Sequence, residues 1–187
     1  MFERFTKDAR AVVKGAVGHA EETGAQRVGA EHLLLSVLDR EGSRASFALT
    51  SLGLDERREP VRVALGEARR RAGLTQAETD ALAGLGIDVP AIVARVEDVH
   101  GAGALSADRR GGGRRSGHRS FDREAKDVLV GALRAATAQR DRRIGDEHIL
   151  LALTVRPGVP AEVLADHGVT YESVTRVLYG NGEAKAG

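Results

Sequence analysis

A segment near the start of this chain returns 116 residues later, and that duplication restricts the fold more than any other feature. Phe5, Ala9, Val12, Val13, Ala16 and Ala20 align at this offset with Phe121, Ala125, Val128, Leu129, Ala132 and Ala136, and Glu31 aligns with Glu147. From Ala9 and Ala125 onward the matched positions fall at i, i+3, i+4, i+7 and i+11, the apolar stripe of an amphipathic helix. Each copy therefore opens with a helix, and Thr6 and Asp122 stand where a side-chain oxygen can cap the first free backbone N–H groups.

The rest of each copy reads as three further helices. The second carries Leu33, Leu34, Val37 and Leu38 in one copy and Ile149, Leu150 and Leu153 in the other, with Gly29 and Gly145 just before it. A short third helix ends at Gly53 and Gly168, where a C-terminal cap needs a residue at ease with positive φ. Asp55 and Thr170 are expected to cap the fourth, which holds Val61, Val63 and Leu65 or Val174, Val177 and Leu178. Between the copies, Leu85-Gly86-Ile87-Asp88 echoes Leu52-Gly53-Leu54-Asp55, which predicts an additional half-unit of two helices over 76–84 and 89–99, with Pro90 tolerated in a first turn. From Gly101 to Ser120 glycine and arginine rise and apolar periodicity stops, so this stretch reads as a solvated linker. The expected class is all-α, with no convincing strand. The expected division is repeat one over 1–71, the half-unit over 72–100, the Gly/Arg linker over 101–120, repeat two over 121–180 and a disordered tail over 181–187.

Composition excludes several functions. Cysteine is absent and no apolar run approaches the roughly 18 residues that span a bilayer, which points to a cytoplasmic protein with no membrane partner. Residues 111–117, Gly-Gly-Gly-Arg-Arg-Ser-Gly, contain no lysine followed by Ser or Thr, so they lack the phosphate-cradling Gly-Lys-Ser/Thr ending. Glu31-His32 and Glu147-His148 reverse the order of a zinc-binding His-Glu-x-x-His motif and lack its second histidine, so no metal or cofactor is expected, and both histidines read as packed and hydrogen-bonded. Catalysis is not expected. Although the net charge is only +1, arginines crowd between Arg109 and Arg119. That stretch leaves a nucleic-acid-associated protein as the alternative function, but it lacks interleaved aromatics and no helix has a basic face, which argues against nucleic acid as the partner.

The opening Met-Phe-Glu-Arg-Phe-Thr-Lys-Asp-Ala-Arg, the paired Gly-x-Glu-His-[Leu/Ile]-Leu-Leu motifs at 29–35 and 145–151, the Leu-Gly-[Leu/Ile] turns and the Phe that opens the second copy resemble the double Clp N-terminal repeat. That domain stands at the front of Clp-type AAA+ unfoldases, notably those of Gram-positive bacteria and actinobacteria. The half-unit and the arginine linker depart from the unfoldase pattern and are more similar to free-standing actinobacterial proteins made of Clp repeats alone.

The resemblance implies a non-catalytic module that binds peptides or substrate proteins, including arginine-phosphorylated ones, adaptors, or cyclic peptide antibiotics. Such a module would act as an accessory or decoy for a full-length unfoldase. Phosphoarginine joins a cationic guanidinium to an anionic phosphate, so its receptor needs a carboxylate near an anion site such as a hydroxyl-capped helix N-terminus. The resemblance implies Thr6 with Glu31 for this role, provided the two helix starts of copy one converge. In copy two, Asp122 with Glu147 puts acid where the phosphate would lie, so a plain cation or no ligand is expected there. The competing reading is that Glu31 and Glu147 simply offset helix dipoles, each worth about 0.3–1 kcal/mol. Phe2, Arg10, Val13, His118, Phe121 and Lys126 match the residue types of the family's peptide- and antibiotic-binding face, whereas Phe121 read as the equivalent of Phe5 would be core.

Overall fold

The computed structural model describes residues 2–106 and 119–180. Copy one contains α1 (Lys7–Glu22), α2 (Ala30–Leu38), α3 (Arg44–Ser51) and α4 (Arg58–Arg70). The half-unit contains α5 (Gln76–Gly84) and α6 (Val89–His100), and copy two contains α7 (Arg123–Ala138), α8 (Asp146–Val155), α9 (Val159–Asp166) and α10 (Tyr171–Tyr179). The protein is all-α, and both copies have the four helices expected of them. Among the described residues no single helix is long and apolar enough to cross a membrane.

The two opening helices are capped as their sequences suggest: Thr6 Oγ1 accepts from the Ala9 N–H at 3.2 Å and Asp122 Oδ1 from the Ala125 N–H at 2.7 Å. Gly53 and Gly168 end the third helices at φ 73° and 78°, a conformation that costs glycine nothing. Thr170 caps α10 through the Ser173 N–H. Asp55 does not cap α4. Residues Asp55–Arg57 form a 3-10 turn that shifts the start of α4 to Arg58, and the Asp55 carboxylate pairs with Arg58 at 2.7 Å instead.

α2 and α8 are the innermost helices. Leu33, Leu34, Val37 and Leu38 on one, and Ile149, Leu150, Leu151 and Leu153 on the other, are fully buried and belong to one continuous core with the stripes of α1 and α7. α1 packs on α2 and α7 on α8, and both pairs cross at small residues. A Cβ on Gly15 would overlap Ser36, and one on Gly131 would lie 3.0 Å from the Cβ of Ala152. These two crossings are equivalent by the 116-residue offset, so the closeness of the helices is built into the repeat.

The expectation of no strand fails in one small but consequential place. β1 (Arg27–Val28) and β2 (Ser120–Phe121) pair in parallel, with Arg27 opposite Ser120 and Val28 opposite Phe121. Phe5 and Ile144 form the symmetry-related bridge. Two-residue strands carry no readable alternation, because their partner lies in the other copy. Ser120, assigned to the linker, therefore belongs to the repeat. Gly101–Ser106 also makes defined turns, tied by the Gly103 N–H to Glu97 at 2.7 Å and by Ser106 Oγ to the Arg69 carbonyl at 3.3 Å. The remainder of the linker, with Arg109, Arg110, Arg114 and Arg115, and the tail from 181 lie outside the described residues.

The half-unit docks on both copies. The Glu162 carboxylate of α9 accepts from the Gln76 and Ala77 N–H groups at the start of α5, at 2.5 and 3.2 Å. Arg70 of α4 grips Glu97 of α6 with two hydrogen bonds, which, with the Gly103 N–H, hold its carboxyl down to about 2. Because α7 approaches α8 so closely at Gly131, Gly131→Leu should force the pair apart and lower the unfolding free energy by about 1–3 kcal/mol, measured by urea denaturation.

Candidate functional site

The Gly-x-Glu-His motif at the start of α2 and α8 has a local physical logic. The Gly29 N–H donates to His32 Nδ1 at 2.9 Å, and the Gly145 N–H to His148 Nδ1 at 2.9 Å, so each histidine closes the first turn from its third position. A backbone N–H can only donate, so each Nδ1 accepts and the ring proton sits on Nε2. His32 Nε2 then meets Thr23 Oγ1 at 3.2 Å, and His148 Nε2 meets Asp141 at 3.0 Å. Glycine precedes the acid because a Cβ at Gly29 or Gly145 would overlap the folded-back carboxylate of Glu31 or Glu147.

The backbone bridges decide which groups face one another. The Thr6 N–H donates to the Ile144 carbonyl at 2.9 Å, and the Asp122 N–H to the Val28 carbonyl at 3.0 Å. Thr6 is thereby set beside the Gly-x-Glu-His turn of copy two, and Asp122 beside that of copy one. Thr6 and Glu147 line one cavity, of about 370 Å³, while Asp122 and Glu31 line another, of about 780 Å³. The expected pairing within each copy, Thr6 with Glu31 and Asp122 with Glu147, is corrected: the Thr6–Ile144 and Asp122–Val28 bonds run between the copies, and each cavity takes its cap from one and its acid from the other.

The Glu31 cavity is the larger and the more acidic. Glu31, Glu78, Asp122 and Glu124 line it together with Arg27 and Arg69 and with the apolar Leu65 and Val159. Thr75 and Glu78 come from the half-unit, which thus forms one wall. The Glu31 side chain is 31% exposed.

The Thr6–Glu147 cavity differs in both charge and access. The Glu147 side chain is only 5% exposed, and Arg44 Nη1 covers it at 3.0 Å. The Arg44 guanidinium also lies 3.9 Å from Asp141 and 5.3 Å from the centre of the Tyr179 ring. Asp8, Arg142 and Arg143 also line the cavity. Asp146 is buried, with Oδ2 unpartnered. Burial pushes the Glu147 carboxyl up to about 7, with Asp146 adding to the shift and its own N–H and Arg44 opposing it. Burial lowers the pKa of His148 and raises that of Tyr179 to about 12.

Asp141, Glu147 and His148 bring possible ligand atoms within 4.8 Å of one another. His148, however, has spent Nδ1 on the Gly145 cap and holds its proton on Nε2 toward Asp141, so it offers no lone pair unless the helix start opens. The cluster is a hydrogen-bonded network that supports α8.

Of the proposed peptide-binding face, Arg10 and Lys126 are exposed and equivalent by the repeat offset, and Val13 and Phe121 are half-buried against the core. Phe5 is fully buried, so Phe121 is only partly its counterpart. The Phe2 side chain and His118 lie outside what the structure describes.

Residues 4–73 and 120–185 match the Clp repeat (R) N-terminal domain. The chain belongs to the Clp repeat N-terminal family. A solved structure, the N-terminal domain of the caseinolytic protease associated chaperone ClpD from Arabidopsis thaliana, shares its fold with a TM-score of 0.51 at 18% identity, covering 97% of this chain and 96% of that one. Clp repeat domains are non-catalytic, protein-binding modules of Clp unfoldases. The matched segments lie on either side of α5 and α6.

The buried Glu147 makes this Clp repeat domain sensitive to pH. A carboxyl raised from 4.5 to about 7 favours the fold while protonated, and that contribution is lost as it ionises across this interval. Relative to Glu147→Gln, the wild-type melting temperature should fall as pH rises from about 4.5 to about 7, as followed by circular dichroism.

Proposed function

We propose that this chain is a receptor module of the Clp system that holds client proteins by their arginine side chains, with the Glu31 cavity as its principal site. The observation that carries this reading is the exchange of partners between copies, which sets an accessible carboxylate against the capped N-terminus of the opposite repeat. In the Glu31 cavity four carboxylates outnumber two arginines, an arrangement suited to an unmodified guanidinium, and the apolar Leu65 and Val159 suit its methylene stem. The Thr6–Glu147 cavity also holds four carboxylates, Asp8, Asp141, Asp146 and Glu147, but three arginines, and it is the one assigned here to phosphoarginine. Glu147 would take the guanidinium, while the Thr6-capped start of α1, with Arg142 and Arg143, would take the phosphate.

Arg10, Val13, Phe121 and Lys126 form the second part of the proposal, a face for adaptors or cyclic peptides; Phe2 and His118 belong to it by the family resemblance alone. In this reading the module acts as an accessory or decoy that competes by mass action for ligands of the full-length unfoldase.

The test is calorimetric titration with an arginine-containing peptide. Removing the acid of a charge pair that the ligand desolvates costs about 2 kcal/mol or more, so Glu31→Ala should weaken binding by about thirtyfold or more, while the lost helix-end interaction lowers stability by only about 0.3–1 kcal/mol. Unaltered affinity in that variant removes the Glu31 cavity from consideration. Pull-downs with and without arginine phosphorylation of the extract then decide between plain and phosphorylated clients.

A further inference from the structure

The two cavities are related by the repeat but are not equally accessible, and one residue accounts for the difference. The third helices align at an offset of 115, with Leu49 on Leu164 and Gly53 on Gly168, so the first residue of α3, Arg44, corresponds to the first residue of α9, Val159. Val159 lines the Glu31 cavity and Arg44 the Thr6–Glu147 cavity. The Glu31 side chain is 31% exposed, whereas Glu147, beneath Arg44, is 5% exposed.

The surroundings of Arg44 are those of a bound ligand. A carboxylate lies 3.0 Å from its Nη1, a second at 3.9 Å, and an aromatic face at 5.3 Å, the combination from which receptors for guanidinium groups are built. The Arg44 side chain is itself 50% exposed, so it has open solvent into which to withdraw. An ion pair with one partner so exposed adds little to stability, and so does not by itself explain the arrangement.

We infer that Arg44 is a resident occupant of the guanidinium position in the Thr6–Glu147 cavity, so that an arginine from a client enters there only by displacing it, while the Glu31 cavity stands open. This rests on the receptor reading above and assigns the selectivity. A plain arginine gains nothing by replacing another arginine on Glu147. Phosphoarginine brings a phosphate for Arg142 and Arg143, which share the cavity with Asp8, Asp141 and Asp146, and that additional contact with two arginines supplies the displacement. The self-occupied cavity is therefore specific for the phosphorylated side chain, and the open one takes the unmodified side chain.

The test uses the full chain, with Nα-acetyl-arginine amide and phosphoarginine as probes. NMR follows the amides of Val28 and Gly29 for one cavity and of Ile144 and Gly145 for the other. In wild type, acetyl-arginine amide should shift Val28 and Gly29 and leave Ile144 and Gly145 in place. Arg44→Ala should raise the affinity of both probes at Ile144 and Gly145 by at least about fivefold, because the competent state no longer has to be vacated first, and adding Glu147→Gln should abolish the gain. The reciprocal Val159→Arg should close the Glu31 cavity to acetyl-arginine amide by a similar factor, about fivefold. Unchanged or weakened binding in Arg44→Ala overturns the inference, the weakening marking Arg44 as a direct ligand of the phosphate. Equal saturation of both cavities by acetyl-arginine amide in wild type removes the role of Arg44 and leaves the receptor reading intact. Absence of shifts at both cavities in every variant overturns the receptor reading, and the inference with it.

Discussion

The architecture depends on two short backbone bridges between the copies. Thr6 donates to Ile144 and Asp122 donates to Val28, and with the flanking parallel pairs these contacts fix where each opening helix begins relative to the other repeat. Hydrophobic burial drives α1 onto α2 and α7 onto α8, but it is non-directional and would tolerate a slide of the copies past one another. Backbone hydrogen bonds are not tolerant in this way, because each has one donor, one acceptor and a narrow geometry. The bridges convert two similar helical units into one object with two cavities on its seam.

Around that seam the Gly-x-Glu-His turn does three tasks in four residues. Its histidine satisfies a buried backbone N–H, its glycine makes room, and its acid folds back over the helix start, where the dipole favours negative charge. The histidines carry no chemistry of their own, since their nitrogens are committed to closing the turn. The acid is the one member left to face a cavity, and the two acids diverge. Glu31 opens toward a large space walled in part by the half-unit, and Glu147 lies buried beside Asp146 under an arginine.

That divergence shows how a duplicated unit acquires two unlike cavities without altering its core. The half-unit is fastened by Glu162 at the start of α5 and by Arg70 on Glu97, both outside the central helices. Arg44 stands at the first position of a helix, where its side chain reaches over the seam and disturbs nothing buried. Changes at helix ends and in the half-unit reshape the cavities, while Leu33, Leu34, Ile149 and Leu150 hold the same places in both repeats.

Much of the fold was legible in the sequence because it is periodic. The apolar stripes from Ala9 to Ala20 and from Ala125 to Ala136, the caps at Thr6, Asp122 and Thr170, the left-handed Gly53 and Gly168, and the helices of the half-unit follow from short-range rules that need no knowledge of a partner. Asp55 reads as a cap from sequence because a 3-10 turn and a helix cap begin with the same residue types. The two strands escaped notice because two residues show no alternation. The acids and caps were visible, but their pairing was not: the same side chains satisfy the same local rules whether a repeat closes on itself or on its twin. Arg44, Asp141 and Tyr179 could not be linked to Glu147 from spacing, since they lie on different elements; the sole signal was a charged residue at 44 where the aligned copy has Val159. The sequence by itself thus determined which helices form and which faces they bury. The tertiary structure alone decided which repeat supplies each half of a cavity, because that choice resides in hydrogen bonds between segments more than a hundred residues apart in the chain.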